Sequence, residues 1–122
     1  MRILVVDTDK YYLDLYLRVL SGAGHQVLSA RDHKEALSLF DNNAFEGACF
    51  DLIITDIQIP QLDGEELARE IKTRNTDCLV MLIAEWPPEK GHSFDRMFTK
   101  GMPDETLLEC VNLVFNSILI ID

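Results

Sequence analysis

Short, unbroken apolar runs alternate with amphipathic stretches along this chain, and that alternation limits the architectures open to it more than any other feature. "ILVV" (3–6), "CFDLIITDI" (49–57) and "CLVMLIA" (78–84) are too short for buried helices and rich in β-branched residues. They read as strands covered on both faces. "HQVLSA" (25–30) and "RMFT" (96–99) are weaker strands. Helical spacing lies between them. Leu13, Tyr16, Leu17 and Leu20 share one face before "SGAG" ends the first helix, and Ala36, Leu37 and Phe40 mark a second. Asp63 can cap a third helix, with Glu66 as its capping-box partner and Leu67, Ala68 and Ile71 as its inner stripe. Pro103 fits the first turn of a last helix whose inner face is Leu107, Val111, Val114 and Ile118. Residues 41–48 are mostly polar or small and are predicted to form a loop. The order β-α-β-α-β-α-β-loop-β-α predicts an α/β, doubly wound parallel sheet, with residues 1–122 forming a single domain. One helix is lacking. "EWPPEKGHSFD" (85–95) contains Pro87, Pro88 and Gly91 and has no apolar stripe. A loop or one irregular turn is expected there, with the fourth helix shortened or missing.

Charge and composition narrow the function classes. With 21 acidic against 11 basic side chains, the formal charge is -10, which disfavours binding to nucleic-acid phosphates. No run approaches the roughly 18 apolar residues of a membrane span. The chain opens directly into a strand, without the pattern of a signal peptide, so a cytoplasmic location is expected. Cys49, Cys78 and Cys110 are far apart, lack metal spacing and sit in apolar contexts. They are expected to be buried, reduced thiols. His25, His33 and His92 are scattered and are not read as ligands.

In a parallel α/β sheet, ligands bind at the carboxyl ends of the strands. The residues placed there are Asp7, Thr8 and Asp9 after the first strand, Asp56 after the third, Ile83 and Ala84 at the fourth, and Lys100 after the fifth. A carboxylate closing so apolar a strand points Asp56 to function. Asp9 reads first as the N-cap of the first helix. Clustered carboxylates repel one another and call for a cation, and Mg²⁺ is suited to one or two carboxylates plus waters. A carboxylate beside Mg²⁺ and Lys100 can attack phosphorus, giving an aspartyl phosphate.

"ILVVDTDK", "FDLIITDIQIPQLDG" and "FTKG" together resemble the receiver domain of two-component response regulators, from Arg2 to about Leu113. The resemblance implies a flavodoxin-like five-stranded sheet of order 2-1-3-4-5. It implies Mg²⁺-dependent phosphotransfer to Asp56 from a sensor histidine kinase or phosphotransfer protein. Lys100 would pair with the phosphoryl group. The metal would be held by Asp7, Asp56 and the backbone carbonyl of Gln58. The chain also departs from the family. Thr8 stands where a second metal-binding acid is usual, so Mg²⁺ binding is expected to be weak, with Thr8 or a shifted Asp9 as the candidates for that place. Ile83 replaces the hydroxyl that follows the phosphoryl group, Met97 replaces the aromatic switch residue, and Gly101 replaces a proline. The usual pairing face is built largely from the fourth helix, so a homodimer through it is doubtful.

Two functions follow for the same fold: a receiver that accepts a phosphoryl group but switches poorly, and an interaction module that works without phosphorylation. A remote alternative from another class is a haloacid-dehalogenase-like phosphatase using Asp7 as nucleophile and Asp9 as acid/base. Tyr11 and the absence of a cap insertion speak against it. Neither an interaction with nucleic acid nor one with a membrane is expected of this chain.

Overall fold

The computed structural model describes residues 1–59, 63–89 and 93–119, with side chains of the last helix described to Asn116. The strands are β1 (Arg2–Val6), β2 (Gln26–Ala30), β3 (Leu52–Thr55), β4 (Leu79–Ala84) and β5 (Arg96–Thr99). The helices among the described residues are α1 (Lys10–Gly22), α2 (His33–Phe45), α3 (Gly64–Arg74) and α4 (Asp104–Leu119). Every strand pairing is parallel, and the sheet order is β2-β1-β3-β4-β5. No helix among the described residues is long and apolar enough to cross a membrane.

The two-residue period of the strands splits their side chains between two cores. Ile3, Val5, Ile54, Met81 and Ile83 pack under α1 and α4 with Leu13, Tyr16, Leu107 and Val111. Leu4, Val6, Ile53 and Val80 pack under α2 and α3 with Phe40, Leu67 and Ile71. This is why the central strands β1, β3 and β4 are almost wholly apolar rather than alternating. Register then determines where the strands end. Val6 pairs with Thr55, and Ala84 pairs with Thr99. Asp7, Asp56 and Lys100 each follow the last residue of their strand, so all three emerge at one rim of the sheet.

Several local expectations are adjusted. The polar stretch from Asp41 does not open a loop, because α2 continues to Phe45. Its polar side chains have partners there: Asp41 accepts from Arg74 at 2.9 Å, and Asn43 donates to Leu39 O at 2.7 Å. Val19 rather than Leu17 completes the buried stripe of α1. The third strand is shorter than its apolar run. Pro103 lies just ahead of the last helix and accepts the Leu107 N–H. Cys49 is exposed, against expectation, because it lies in the turn before β3, whereas Cys78 and Cys110 are buried. The expected inward position of Ile118 and the placement of His92 lie outside the described residues, as does Gly91.

Among the described residues, no helix lies between β4 and β5. Asp95, just before β5, is tied to β4 and α3. The Asp95 carboxylate accepts from Val80 N at 2.7 Å and from Lys72 Nζ at 2.8 Å, and the Asp95 N–H donates to Val80 O at 2.8 Å. Val80 and Leu82 are fully buried even without that helix. Replacing Asp95 by Ala strands the Val80 N–H and one bond of Lys72. The variant is expected to lose about 1–3 kcal/mol, read as a lower urea midpoint. Asp95→Asn, which keeps an acceptor, should lose less.

Candidate functional site

Three short turns assemble the site, and each is held by its own hydrogen bonds. After β1, the Asp7 carboxylate accepts the Asp9 N–H at 2.9 Å, and Asp9 in turn caps α1 by accepting the Tyr11 N–H at 2.9 Å. After β3, Asp56 accepts the Ile57 N–H at 2.6 Å through Oδ1. The α3 N-terminus closes over this turn, with Asp63 accepting from Glu66 N and Gly64 N donating to Ile57 O at 2.7 Å. A Cβ on Gly64 would stand 2.1 Å from Asp56 O, so the glycine of the Asp-Gly pair is needed for close backbone approach. The Glu66 side chain pairs with Arg69 instead of completing a capping box. After β5, Gly101 turns the chain at φ 96°, a conformation open to glycine at little steric cost.

Lys100 brings these turns together. Its Nζ donates to Asp56 Oδ2 at 2.6 Å and lies 2.9 Å from Asp7 Oδ2. The first contact is a directed hydrogen bond and the second an ion pair, which leaves Asp7 Oδ2 buried without an aligned donor. The side chains are 1% (Asp7), 7% (Lys100) and 15% (Asp56) exposed. Burial raises the Asp7 pKa above its ordinary value, although the Asp9 N–H and Lys100 both favour its charged form. Burial pulls the Lys100 pKa down, but the Asp56 and Asp7 carboxylates outweigh it and hold the ammonium above the usual lysine value.

The other candidate residues divide by position. Gln58 lines a shallow pocket with Asp56, Ile57, Glu85, Trp86 and Lys100. Thr8 and Asp9 are exposed, and the Asp9 carboxylate is engaged by its helix. Among the described residues, no three Asp, Glu, His or Cys side chains gather as a metal cluster, consistent with a threonine at position 8. Ile83 is buried and lines a cavity with residues of α1 and α4. Met97 is half-buried beside Leu82 in the β4–β5 register. Sequence reasoning missed Tyr12, whose ring centre is 4.3 Å from Lys100 Nζ. The available signal was an aromatic residue in the first helical turn after Asp7. It also missed Glu85 as part of the pocket rim.

The family model for the response regulator receiver domain matches residues 3–108. Response regulator MprA from Mycobacterium sp. (strain KMS) is 35% identical over 83 residues, covering 68% of this chain and 34% of the relative. The chain thus spans about a third of the length of the curated relatives it matches. A response regulator receiver domain protein from Clostridium thermocellum superposes with a TM-score of 0.83 at 24% identity, covering 99% of this chain and 98% of that one. Response regulator protein TrrA from Thermotoga maritima, solved in complex with Mg(2+)-BeF, superposes with a TM-score of 0.78 at 27% identity, covering 93% and 97%.

Two outcomes test this geometry. Asp7 ionises less readily folded than unfolded, so its ionisation opposes folding. Its contribution to stability is greatest below pH 3.8, the ordinary value, and falls as pH rises through the higher folded pKa. In metal-free buffer, Asp7→Asn is expected to be more stable than the wild type near neutral pH, with the gain shrinking in acid, as read by thermal melts across pH. Gly64→Ala must push the α3 N-terminus off Asp56 and is expected to lose about 1–3 kcal/mol in the same melts.

Proposed function

The chain belongs to the response regulator receiver domain family, and from that membership we propose that it accepts a phosphoryl group on Asp56 in two-component phosphorelay signalling. The observation that carries the reading is the Lys100 ammonium held between Asp56 at 2.6 Å and Asp7 at 2.9 Å. An Asp56 carboxylate oxygen attacks phosphorus, the bond from phosphorus to the donor breaks, and the donor leaves with the bonding electrons. Lys100 lies within reach of the charge that develops on the phosphoryl oxygens. The residues present fit Mg²⁺. Asp7 Oδ2 is buried with no directed donor, Asp56 lies beside it, and Gln58 supplies a backbone carbonyl at the same rim. Bound there, Mg²⁺ would neutralise phosphoryl charge. With Thr8 in place of an acid, its binding is weak. Ile83 and Met97 offer no hydroxyl and no aromatic ring to follow the phosphoryl group, so switching is impaired.

The donor is a sensor histidine kinase or a phosphotransfer protein. Residues 1–122 act as a single receiver domain, a signalling module rather than an enzyme. It works in the cytoplasm without binding nucleic acid or membrane; any homodimer would use a face other than the usual one, where no helix lies between β4 and β5 among the described residues. A second reading, a pseudo-receiver acting only as an interaction module, is favoured by the same residues: Thr8, Ile83, Met97 and the segment anchored by Asp95. A phosphatase using Asp7 is disfavoured because that side chain is 1% exposed and engaged by Asp9 N and Lys100.

Incubated with acetyl phosphate and Mg²⁺, the wild type is expected to gain the mass of one phosphoryl group, and Asp56→Ala to gain none. A wild type that stays unmodified favours the interaction-module reading. Trp86 is 86% exposed on the same pocket, so its fluorescence should report Mg²⁺. Thr8→Asp is expected to tighten that binding about tenfold, the size usual for one supporting group at a metal.

A further inference from the structure

We propose that Tyr12 is a positioning residue for Lys100, holding the ammonium against Asp56 with the face of its ring. An ammonium has three N–H donors. In Lys100, one is directed at Asp56 Oδ2, and the charge is shared with Asp7 Oδ2. The Tyr12 ring covers another side, with its centre 4.3 Å from Nζ. Together these leave the side chain 7% exposed. A ring face attracts a cation through its quadrupole but carries no net charge. A third carboxylate would hold the ammonium as well, but it would also repel an incoming phosphodonor.

The ring is fixed in turn by the group it serves. Asp7 Oδ1 accepts the Asp9 N–H, Asp9 O accepts the Tyr12 N–H at 3.1 Å, and Tyr12 meets Lys100, which pairs back to Asp7. The Tyr11 ring packs edge-on at 5.1 Å and the Tyr16 ring at 6.1 Å, limiting the tilt of Tyr12. Among the described residues, the ring contact with the Lys100 ammonium comes from Tyr12 on α1.

This inference rests on Asp56 being the phosphoacceptor, and its test separates the two. In the full chain, the side-chain signals of isotope-labelled Lys100 are expected to be displaced upfield by the ring in the wild type and in Tyr12→Phe, but not in Tyr12→Leu. With acetyl phosphate and Mg²⁺, Tyr12→Phe should phosphorylate within twofold of the wild type. Tyr12→Leu should fall about two- to tenfold in saturating rate, within the range of one cation–π contact, with its half-saturating acetyl phosphate unchanged. Tyr12→Met replaces Tyr12→Leu if the latter fails to fold. A folded Leu or Met variant that keeps both the Lys100 signal and the rate overturns the proposal, as does a Phe variant as slow as Leu. A wild type that takes up no phosphoryl group overturns the assignment of Asp56 and the kinetic role of Tyr12 with it. The Lys100 signal, which needs no phosphorylation, then shows whether the ring grips the ammonium.

Discussion

The ammonium of Lys100 allows two carboxylates to share the rim of this sheet. Asp7 and Asp56 follow neighbouring strands, and Asp7 is almost wholly buried. Two like charges in so little water would push each other towards the neutral acid. A cation 2.6 and 2.9 Å from their oxygens offsets that repulsion. The arrangement disfavours stability in isolation, since burial still weakens the Asp7 anion.

The backbone around that ion pair is arranged so that the acids cannot drift. Asp9, Asp32 and Asp63 each cap the helix that follows a strand or its turn, in contrast to the two acids that end β1 and β3. Those on helix N-termini satisfy amide groups and carry structure. Those ending β1 and β3 face Lys100 and carry the site. Gly64 links the groups, because only a residue without Cβ lets the α3 N-terminus rest on the Asp56 carbonyl.

The departures from the family pattern fall at positions 8, 83, 97 and 101. Thr8 is exposed after β1, and Ile83 lines a cavity with Tyr11, Tyr12, Tyr16 and Leu107. Met97 lies on β5, and among the described residues between β4 and β5 there is no helix, with Asp95 bonded to Val80 and Lys72. Asp7, Asp56 and Lys100 are brought together at one rim of the sheet, whereas Ile83 and Met97 lie on the neighbouring β4–β5 pair.

The sequence alone determined the fold class, the strand positions within a few residues, the lack of a helix among the described residues between β4 and β5, and the rim residues Asp7, Asp56 and Lys100. Those features rest on periodicity and on abrupt changes from apolar to charged residues, which are local and survive in one dimension. It misjudged residues 41–45, because helix there depends on Asp41 meeting Arg74, far away in the chain. It gave Asp9 as the cap of the first helix, but not the close approach at Gly64 or the contact of Tyr12 with Lys100. Each is a distance between groups whose separation is decided by how β1, β3 and β5 align in register. Tertiary structure alone decided those contacts, because parallel pairing brings residues 12, 56 and 100 to one rim, whereas nothing in their spacing along the chain requires them to touch.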